Sequence, residues 1–512
     1  MNRKRTLASL FLLALIPAAT FGQSPDSRAV SAQVRSYRTQ HEADIVKELA
    51  VLASIPDMAS DQENIRKNAD RIVSMLQRRG VASKLLEVTG APPYIYGDLQ
   101  APGATRTIAF YAHYDGQPVD PSQWASNPWV AVLRDKPLEQ GGKEIPLQGL
   151  RSPVSGEDRL YARSVSDDKA PIVAMLAALD ALQASGISRS VNVKFFFEGE
   201  EERGSPHLKT AFEQYASLLK ADAWFLCDGP AHQSGRKLLY FGARGVTDLE
   251  LTVYGPVRSL HSGHYGNWAP NPAALLAGLL SSMRDRDGHV RIAGFYDDVR
   301  PLTKEEQNAL DAVPGVERQL RDDLGIAWTE GNGQSLAKLI TLPALNIRGI
   351  EAGHVGAQTQ NAIPTEAIAS IDFRLVPDQT PEKIHAEVEA HLAKQGFFVV
   401  HGVPDMETRR QHGPIVRVAW GAGYPAGRTS MDLPFSRAAE SIISSEFGTP
   451  PVKLPTMGGS VPMYLFANDL HAPVIGLAIV NADNNQHAAN ENLRIQNLWD
   501  GIETMAALMA MK

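Results

Sequence analysis

Short apolar runs with the length of buried strands alternate with a long apolar helix in the first half of the sequence. Residues 107–112 (TIAFYA) and 191–197 (VNVKFFF) are two such runs, and Ala223–Leu226 (AWFL) is a third. Between the first two, Lys169–Ala184 (KAPIVAMLAALDALQA) has the length and composition of a buried helix. Strands buried on both faces and joined by helices are typical of a parallel sheet. The alternation therefore predicts an α/β fold with a mostly parallel sheet and flanking helices.

This α/β pattern is interrupted after about residue 240. Residues 249–254 and 367–375 alternate apolar and polar side chains, and a helix of small residues follows Pro272. Such alternation is typical of antiparallel strands with one exposed face. The α/β pattern resumes after a linker rich in Gly and Pro at residues 421–427. We therefore predict an α/β domain in two parts, residues 27–240 and 424–512, interrupted by an α+β domain at residues 241–423.

The first 22 residues have the pattern of a cleavable export signal. The cations Arg3, Lys4 and Arg5 come first, and a ten-residue apolar run at residues 7–16 follows them. Small residues then lead to Gly22, where a signal peptidase would cut. The apolar run is too short to remain as a membrane anchor. We expect a periplasmic or secreted protein with no membrane anchor after cleavage.

Charge and cysteine content exclude several classes of protein. The 512 residues carry a formal net charge of −7, whereas a protein that binds nucleic acid is usually basic. We therefore expect no nucleic-acid partner. The single cysteine, Cys227, excludes an internal disulfide framework and a cysteine-rich zinc site. Because Cys227 ends an apolar run, we interpret it as a buried, unreactive thiol.

Residues of the types that bind metals cluster beyond the ends of predicted strands and at the start of the apolar helix. Taken singly, each has an ordinary explanation, such as a helix cap or a turn. The functional crevice of an open α/β sheet lies at the carboxyl ends of its strands, so their coincidence indicates a shared site. The five positions are His113 with Asp115, Asp167 with Asp168, the acidic run 200–202, Asp228, and His487.

The residue types in this set favour a hydrolase that uses two metal ions. Two histidines with several carboxylates suit Zn²⁺, and one shared carboxylate can hold two ions about 3.5–4 Å apart. Another carboxylate beside the ions can accept a proton from water. Oxygen and nitrogen ligands also suit Mn²⁺ and Co²⁺, so we predict two divalent ions, with Zn²⁺ as the expected metal. The signature motifs of serine hydrolases, HExxH zinc proteases and P-loop proteins are missing from the sequence.

The motifs His-Tyr-Asp, Ser-Asp-Asp-Lys, Glu-Gly-Glu-Glu-Glu-Arg-Gly-Ser and a late His follow one another along the chain. In sequence and order they resemble the motifs of the co-catalytic zinc peptidases. That family includes carnosinase-type dipeptidases, aminoacylases and glutamate carboxypeptidase. The resemblance covers nearly the whole mature chain. It implies that the α/β domain is catalytic and that residues 241–423 form a lid and dimerisation domain.

The resemblance also implies roles for individual residues. Glu201 would be the general base, and Asp115 would orient a histidine ligand. Ala170 replaces a glycine of the family motif. Asp168 and Glu200 lie one residue away from implied functional positions, so a shift of one residue would exchange their roles. The implied ligands are His113 and Asp228 for one ion, Glu202 and His487 for the other, and Asp167 as the bridge between them.

The inserted domain carries a second set of implied functional residues. Residues 259–263 resemble the family's lid motif, whose histidine reaches the active site of the partner subunit. His261 would then hydrogen-bond the oxyanion, which implies a homodimer formed through the lid domain. Asn361 and Arg374 resemble lid residues that hold the carbonyl and the carboxylate of the substrate. Ser460 lies in a Gly-Gly-Ser turn that resembles the family's substrate-binding turn.

Two further positions bear on the substrate. An Asp rather than a Glu at the ligand position of Asp228 accompanies dipeptidase and aminopeptidase activity in this family. Thr456 and Met457 stand where carnosinase-type members have an Arg-Glu pair, which argues against carnosinase-like specificity.

The predicted function is that of an exported dipeptidase-like exopeptidase that cleaves an amide bond of a small peptide through a metal-bridging hydroxide. Two alternatives stay open: an N-acyl-amino-acid hydrolase or carboxypeptidase of the same family, and a catalytically silent exported binding protein on the same scaffold.

Overall fold

The computed structural model describes residues 27–511, so the predicted export signal at residues 1–22 lies outside the described residues. The described part of the chain begins with two helices, Ser27–Ala53 and Gln62–Gln77. Asp61 caps the second helix, because its side chain accepts a hydrogen bond from the backbone N–H of Asn64. Among the helices of the described residues, none combines the length and the apolar composition needed to cross a membrane.

The largest sheet has eight strands, and its centre is parallel as predicted. Thr107–His113 pairs in parallel with Asn192–Glu198 on one side and with Ala223–Leu226 on the other. Val474–Ala478 extends this parallel centre. The outer strands add antiparallel pairs, so the sheet as a whole is mixed. In spatial order the strands are Ala82–Leu86, Tyr94–Leu99, Asn192–Glu198, Thr107–His113, Ala223–Leu226, Val474–Ala478, Leu238–Tyr240 and Val452–Leu454.

Helices cover both faces of this sheet. Lys169–Ala184 is buried along nearly its whole length, because it lies between the sheet and the helices Ser27–Ala53 and Ile495–Met509. A helix that is apolar on all sides requires such a position. On the opposite face, Leu208–Leu219 and Met463–Asn468 pack against aromatic residues of the sheet. The fold class predicted from the sequence is therefore confirmed.

A second, five-stranded sheet is formed by the inserted segment. Helices Pro272–Met283 and Pro381–Lys394 share one hydrophobic core with this sheet. The arrangement is α+β, as predicted, whereas the residue limits of the domains stay predictions. In spatial order the strands are Ala344–Glu351, Glu366–Leu375, Gly245–Tyr254, Ile415–Trp420 and Phe398–Val400.

Smaller elements complete the described chain. A four-stranded sheet has the order Asn492–Arg494, Arg159–Tyr161, Val132–Arg134 and Glu144–Ile145. The closing helix, Ile495–Met509, follows directly after the first strand of this sheet. Two short ribbons pair Gly242–Ala243 with Gly427–Arg428 and Leu260–His261 with Ala362–Ile363. The remaining α-helices are Ser262–Tyr265, Lys304–Asp311, Glu317–Leu324, Leu336–Ile340, Met406–Gln411 and Pro434–Phe447.

Candidate metal centre

The parallel centre of the large sheet brings the predicted metal ligands to one edge. His113 is the last residue of its strand, and Asp228 follows the neighbouring strand Ala223–Leu226 after one residue. Glu202 lies in a single 3-10 turn just beyond the strand Asn192–Glu198. The carboxyl ends of adjacent parallel strands meet at one edge, so side chains distant in sequence become neighbours there.

Asp167 lies between two histidines and presents one carboxylate oxygen to each. Its Oδ1 is 3.0 Å from Nε2 of His113, and its Oδ2 is 3.2 Å from Nε2 of His487. His487 Nε2 is also 3.1 Å from Oε2 of Glu202. Two groups of potential ligands result: His113, Asp167 and Asp228 form one, and Asp167, Glu202 and His487 form the other. In each group the ligand atoms lie within 4.8 Å of one another, and Asp167 is common to both.

The donor set fits two divalent cations. Imidazole nitrogens and carboxylate oxygens are ligands that Zn²⁺, Mn²⁺ and Co²⁺ all accept, so the geometry does not select among these metals. The electrostatics of the site also favour bound cations. Burial and the negative charge of Asp167 raise the pKa of Asp228 to about 7, so its ionised form is disfavoured unless positive charge is nearby. Crowded carboxylates of this kind are stabilised by a bound cation.

Protons compete with cations for the histidines of this centre. Burial by itself would raise the pKa of Asp167, but hydrogen bonds with His113 and His487 outweigh it and lower that pKa below its usual value. Hydrogen bonds with Asp167 and then Glu202 raise the pKa of His487 to about 10. A cation that binds here must therefore displace a proton from His487, so metal binding strengthens as the pH rises.

The neighbours Asp168 and Glu200 belong to neither ligand group, and their carboxylates hydrogen-bond other groups. Asp168 Oδ2 accepts a hydrogen bond of 3.2 Å from the backbone N–H of His113. Glu200 Oε1 accepts hydrogen bonds from the hydroxyl of Tyr94 and from the backbone N–H of His207. The structure thus directs Asp167 and Glu202 into the ligand groups, in the register that the sequence motifs implied.

Glu201 adjoins the ligand groups without belonging to either of them. Burial raises the pKa of Glu201 well above its usual range, and the charges of Asp228 and Glu202 raise it further, whereas His113 opposes the shift. A carboxylate of this kind can accept a proton and later donate it. The placement suits the role of general base that the sequence motifs implied.

Asp115 holds two parts of the site together. Its Oδ1 lies 3.4 Å from Nδ1 of His113, and the same ring nitrogen lies 3.1 Å from the backbone oxygen of Asp115. The two carboxylate oxygens of Asp115 also accept hydrogen bonds of 3.1 Å from the backbone N–H groups of Glu201 and Glu202. Asp115 therefore fixes the ring orientation of His113 and the turn that carries Glu201 and Glu202.

The four predicted substrate-contacting residues do not lie in one hydrogen-bonded cluster. The exposed ring of His261 accepts a hydrogen bond from the backbone N–H of Gly263, and the backbone oxygen of Asn361 accepts one from Ser262. Within residues 27–511 no hydrogen bond or ion pair joins His261 or Asn361 to the ligand groups. Arg374, by contrast, donates from Nη1 to the hydroxyl of Ser460 at 2.8 Å.

Three residues near the site were missed by the sequence analysis. Gln117 Nε2 donates to Oε2 of Glu202 at 2.8 Å, so Gln117 helps to orient a predicted ligand. Arg244 Nε donates to the backbone oxygen of Gly458 at 3.1 Å, in the turn that carries Ser460. Glu491 holds the segment that leads to Asp167. The closeness of Gln117 to His113 and of Glu491 to His487 in the sequence could have indicated these two residues. Arg244 had no comparable signal.

Comparison with known proteins identifies the family. Residues 109–511 match the profile of peptidase family M20/M25/M40. The chain belongs to this peptidase family. The family predicted from the motifs and the assignment as a metallopeptidase are thus confirmed. The catalytically silent alternative finds no support, since both ligand groups are complete in this family member.

Characterised members of the family resemble the chain over most of its length. The Cys-Gly metallodipeptidase of Schizosaccharomyces pombe is 25% identical over 478 residues, which cover 90% of this chain and 94% of that protein. The human Beta-Ala-His dipeptidase is 26% identical over 526 residues, covering 98% of this chain and 97% of that protein. Among solved structures, an M20 family metallo-carboxypeptidase from Sulfolobus solfataricus superposes with a TM-score of 0.74 at 29% identity. It covers 91% of this chain and 99% of its own.

Proposed function

We propose that this peptidase hydrolyses the amide bond of dipeptides with the help of two divalent cations. The observation that carries the proposal is the position of Asp167, whose two oxygens lie against His113 and His487 at 3.0 and 3.2 Å. A carboxylate shared in this way is the central feature of a two-ion site. The curated relatives described above, a Cys-Gly and a Beta-Ala-His dipeptidase, support dipeptides as the substrate class.

The protein's own groups supply positioning and proton transfer. Two bound cations would polarise the scissile carbonyl and lower the pKa of the attacking water, the chemistry expected of a bridging hydroxide. Glu201 accepts the proton of that water and returns it to the leaving nitrogen, a task that its raised pKa suits. Asp115 keeps the backbone of Glu201 in place during both transfers.

Two arginines beside the turn 458–460 provide an anchor for the substrate carboxylate. Arg244 and Arg374 both hydrogen-bond groups of the 458–460 turn, and Asp372 pairs with Nε of Arg374 at 2.6 Å. Burial and then the charge of Arg374 lower the pKa of Arg244 to about 10, which indicates two neighbouring cations. Because Asp372 balances only one of them, a carboxylate of the substrate can balance the other.

Tyr424 links this anchor to the general base. Burial and then the charge of Glu201 raise the pKa of Tyr424, whereas Arg374 opposes the shift. Tyr424 therefore interacts electrostatically with both Glu201 and Arg374.

We expect the purified mature protein to cleave Cys-Gly and Ala-Ala, and we expect a chelator to abolish this activity.

Ala-Ala amide should have a kcat/KM about 10–100-fold lower than that of Ala-Ala, because it lacks the carboxylate, and a charge-assisted hydrogen bond contributes about 1.5–3 kcal/mol. An Arg374→Gln variant should lose most of the preference for the free acid. Arg348→Gln is the matched control, because Arg348 lies in the same sheet and likewise pairs with an aspartate, Asp248. Faster cleavage of N-acetylalanine than of Ala-Ala would favour the N-acyl-amino-acid hydrolase instead.

We also propose that the active enzyme is a homodimer in which the lid of each subunit serves the site of the other. His261 is exposed in this chain and free of contacts with its own ligand groups, which supports the proposal. A heterodimer of Glu201→Gln and His261→Ala subunits should then have about half of the wild-type activity, because one of its two sites is intact. Each variant homodimer should be nearly inactive, and a heterodimer no more active than these would contradict the shared lid.

Export to the periplasm or the medium is part of the same proposal. It rests on the cationic and apolar pattern of residues 1–22 alone. Sequencing the amino terminus of the protein recovered outside the cytoplasm would test it, with cleavage near Gly22 as the expected result.

A further inference from the structure

The carboxylate of Glu491 is fully buried and accepts five hydrogen bonds from one segment of the chain. Its Oε1 accepts from the hydroxyl and the backbone N–H of Ser166, and from the backbone N–H of Asp167, at 2.8–3.0 Å. Its Oε2 accepts from the backbone N–H of Ser164 at 3.0 Å and from Nη1 of Arg163 at 2.8 Å. One side chain therefore holds the backbone that leads directly to the shared ligand.

This segment has few other partners for its backbone donors. Residues 163–168 connect the strand Arg159–Tyr161 with the helix Lys169–Ala184, outside any sheet or helix ladder. Buried N–H groups in such a connection need acceptors from elsewhere, and a carboxylate is a strong one. Glu491 meets this need with both oxygens, so neither is directed at the ligand groups. It is therefore placed to affect metal binding through Asp167 rather than as a ligand.

The chain segment that carries Glu491 also carries a ligand. His487 precedes Glu491 by four residues, and it contacts both Asp167 and Glu202. A further hydrogen bond joins the same segment to another loop, because Asn490 Oδ1 accepts one of 2.8 Å from the backbone N–H of Ala125. One loop thus supplies a ligand of the second ion and holds the ligand that both ions share.

We propose that Glu491 is a positioning residue that sets Asp167 relative to His487 and thereby couples the two ion sites. The inference rests on the metal centre of the proposed function. If the hydrogen bonds that Glu491 accepts are removed, the affinity of the protein for both ions should fall, even though every predicted ligand is still present. A role limited to stability would lower the melting temperature without a change in metal affinity.

Glu503 offers a matched control. It is also buried, with 3% of its side chain exposed, and it accepts hydrogen bonds from the guanidinium groups of Arg35 and Arg38. It lies in the closing helix Ile495–Met509, and both arginines lie in the helix Ser27–Ala53, which carries no member of either ligand group. Glu503→Gln therefore removes a buried, arginine-paired charge of the same kind without touching the metal centre.

The experiment compares the full mature chain as wild type, Glu491→Gln and Glu503→Gln. Each protein is stripped of metal and titrated with Zn²⁺ against a fluorescent chelator, and its melting temperature is measured. We expect Glu491→Gln to weaken Zn²⁺ binding about 10–100-fold, the range found for residues that orient metal ligands. Glu503→Gln should melt earlier and bind Zn²⁺ like the wild type. The absorption bands of the Co²⁺-loaded protein should change only in the Glu491 variant, because they report ligand geometry.

A milder variant keeps the test decisive if Glu491→Gln does not fold. Ser166→Ala removes only the hydroxyl that donates to Oε1 of Glu491 at 2.8 Å, and it should weaken Zn²⁺ binding by a smaller factor. Zn²⁺ affinities of the Glu491 or Ser166 variant equal to those of Glu503→Gln would overturn the inference and leave the proposed function intact. A wild-type protein that binds no divalent cation would overturn both.

Discussion

Replacing Glu201 with Gln is expected to lower kcat for dipeptides by about 10²–10⁴-fold, the usual contribution of a general base. The amide of Gln has nearly the shape of the carboxylate but cannot accept the proton of the attacking water. Because Glu201 belongs to neither ligand group, both cations should remain bound in the variant. The measurement is kcat together with the metal content of the same purified sample.

Glu200→Gln is the control for this variant. Glu200 precedes Glu201 in the chain, but its carboxylate accepts hydrogen bonds from Tyr94 and His207 and belongs to neither ligand group. We expect its kcat to stay within a few-fold of the wild type. If Glu200→Gln were the inactive variant and Glu201→Gln the active one, the assignment of the base would be wrong by one residue.

An Asp167→Asn variant should lose more than about 100-fold in metal affinity, because even residues that merely orient ligands contribute about 10–100-fold. The amide keeps one oxygen for one ion and presents a neutral nitrogen to the other, so the shared position fails for at least one of them. Activity should fall to the background of the assay. Equilibrium dialysis with Zn²⁺ and dipeptide hydrolysis are the measurements that check this.

The adjacent Asp168→Asn variant distinguishes a bridging role from a general effect of lost charge. Asp168 belongs to neither ligand group, and an amide has nearly the shape of its carboxylate. The oxygen of Asn can still accept the hydrogen bond from the backbone N–H of His113. We expect Asp168→Asn to bind two ions, and loss of both ions in this variant would contradict the assignment of Asp167 as the bridge.

The sequence by itself determined the central strands, the buried helix and the order of the ligand motifs. The strand Ala223–Leu226 and the helix Lys169–Ala184 have the limits that their apolar runs indicated. Burial on both faces leaves an unbroken apolar run, a signal that needs no knowledge of distant residues. The outer strands, such as Leu238–Tyr240 and Val452–Leu454, are too short to give such a signal, and they exist because of their pairing in the sheet.

Only the tertiary structure decided which acidic side chain faces the metal centre. Asp167 and Asp168, like Glu200 and Glu201, are alike in chemistry and adjacent in the chain, and they lie in irregular turns where no periodicity fixes the direction of a side chain. Their directions follow from contacts with distant residues, as when Asp168 binds the backbone of His113.

The same reason explains why Glu491 gave no signal in the sequence. The five groups that donate hydrogen bonds to it belong to residues more than 320 positions earlier in the chain. A single glutamate four residues after a histidine is common in sequences. The residue types and their order along the strands therefore determined which chemistry the chain can perform. The packing of separate loops at one edge of the sheet decided which residues perform it, because the distances between those loops are set by the fold as a whole.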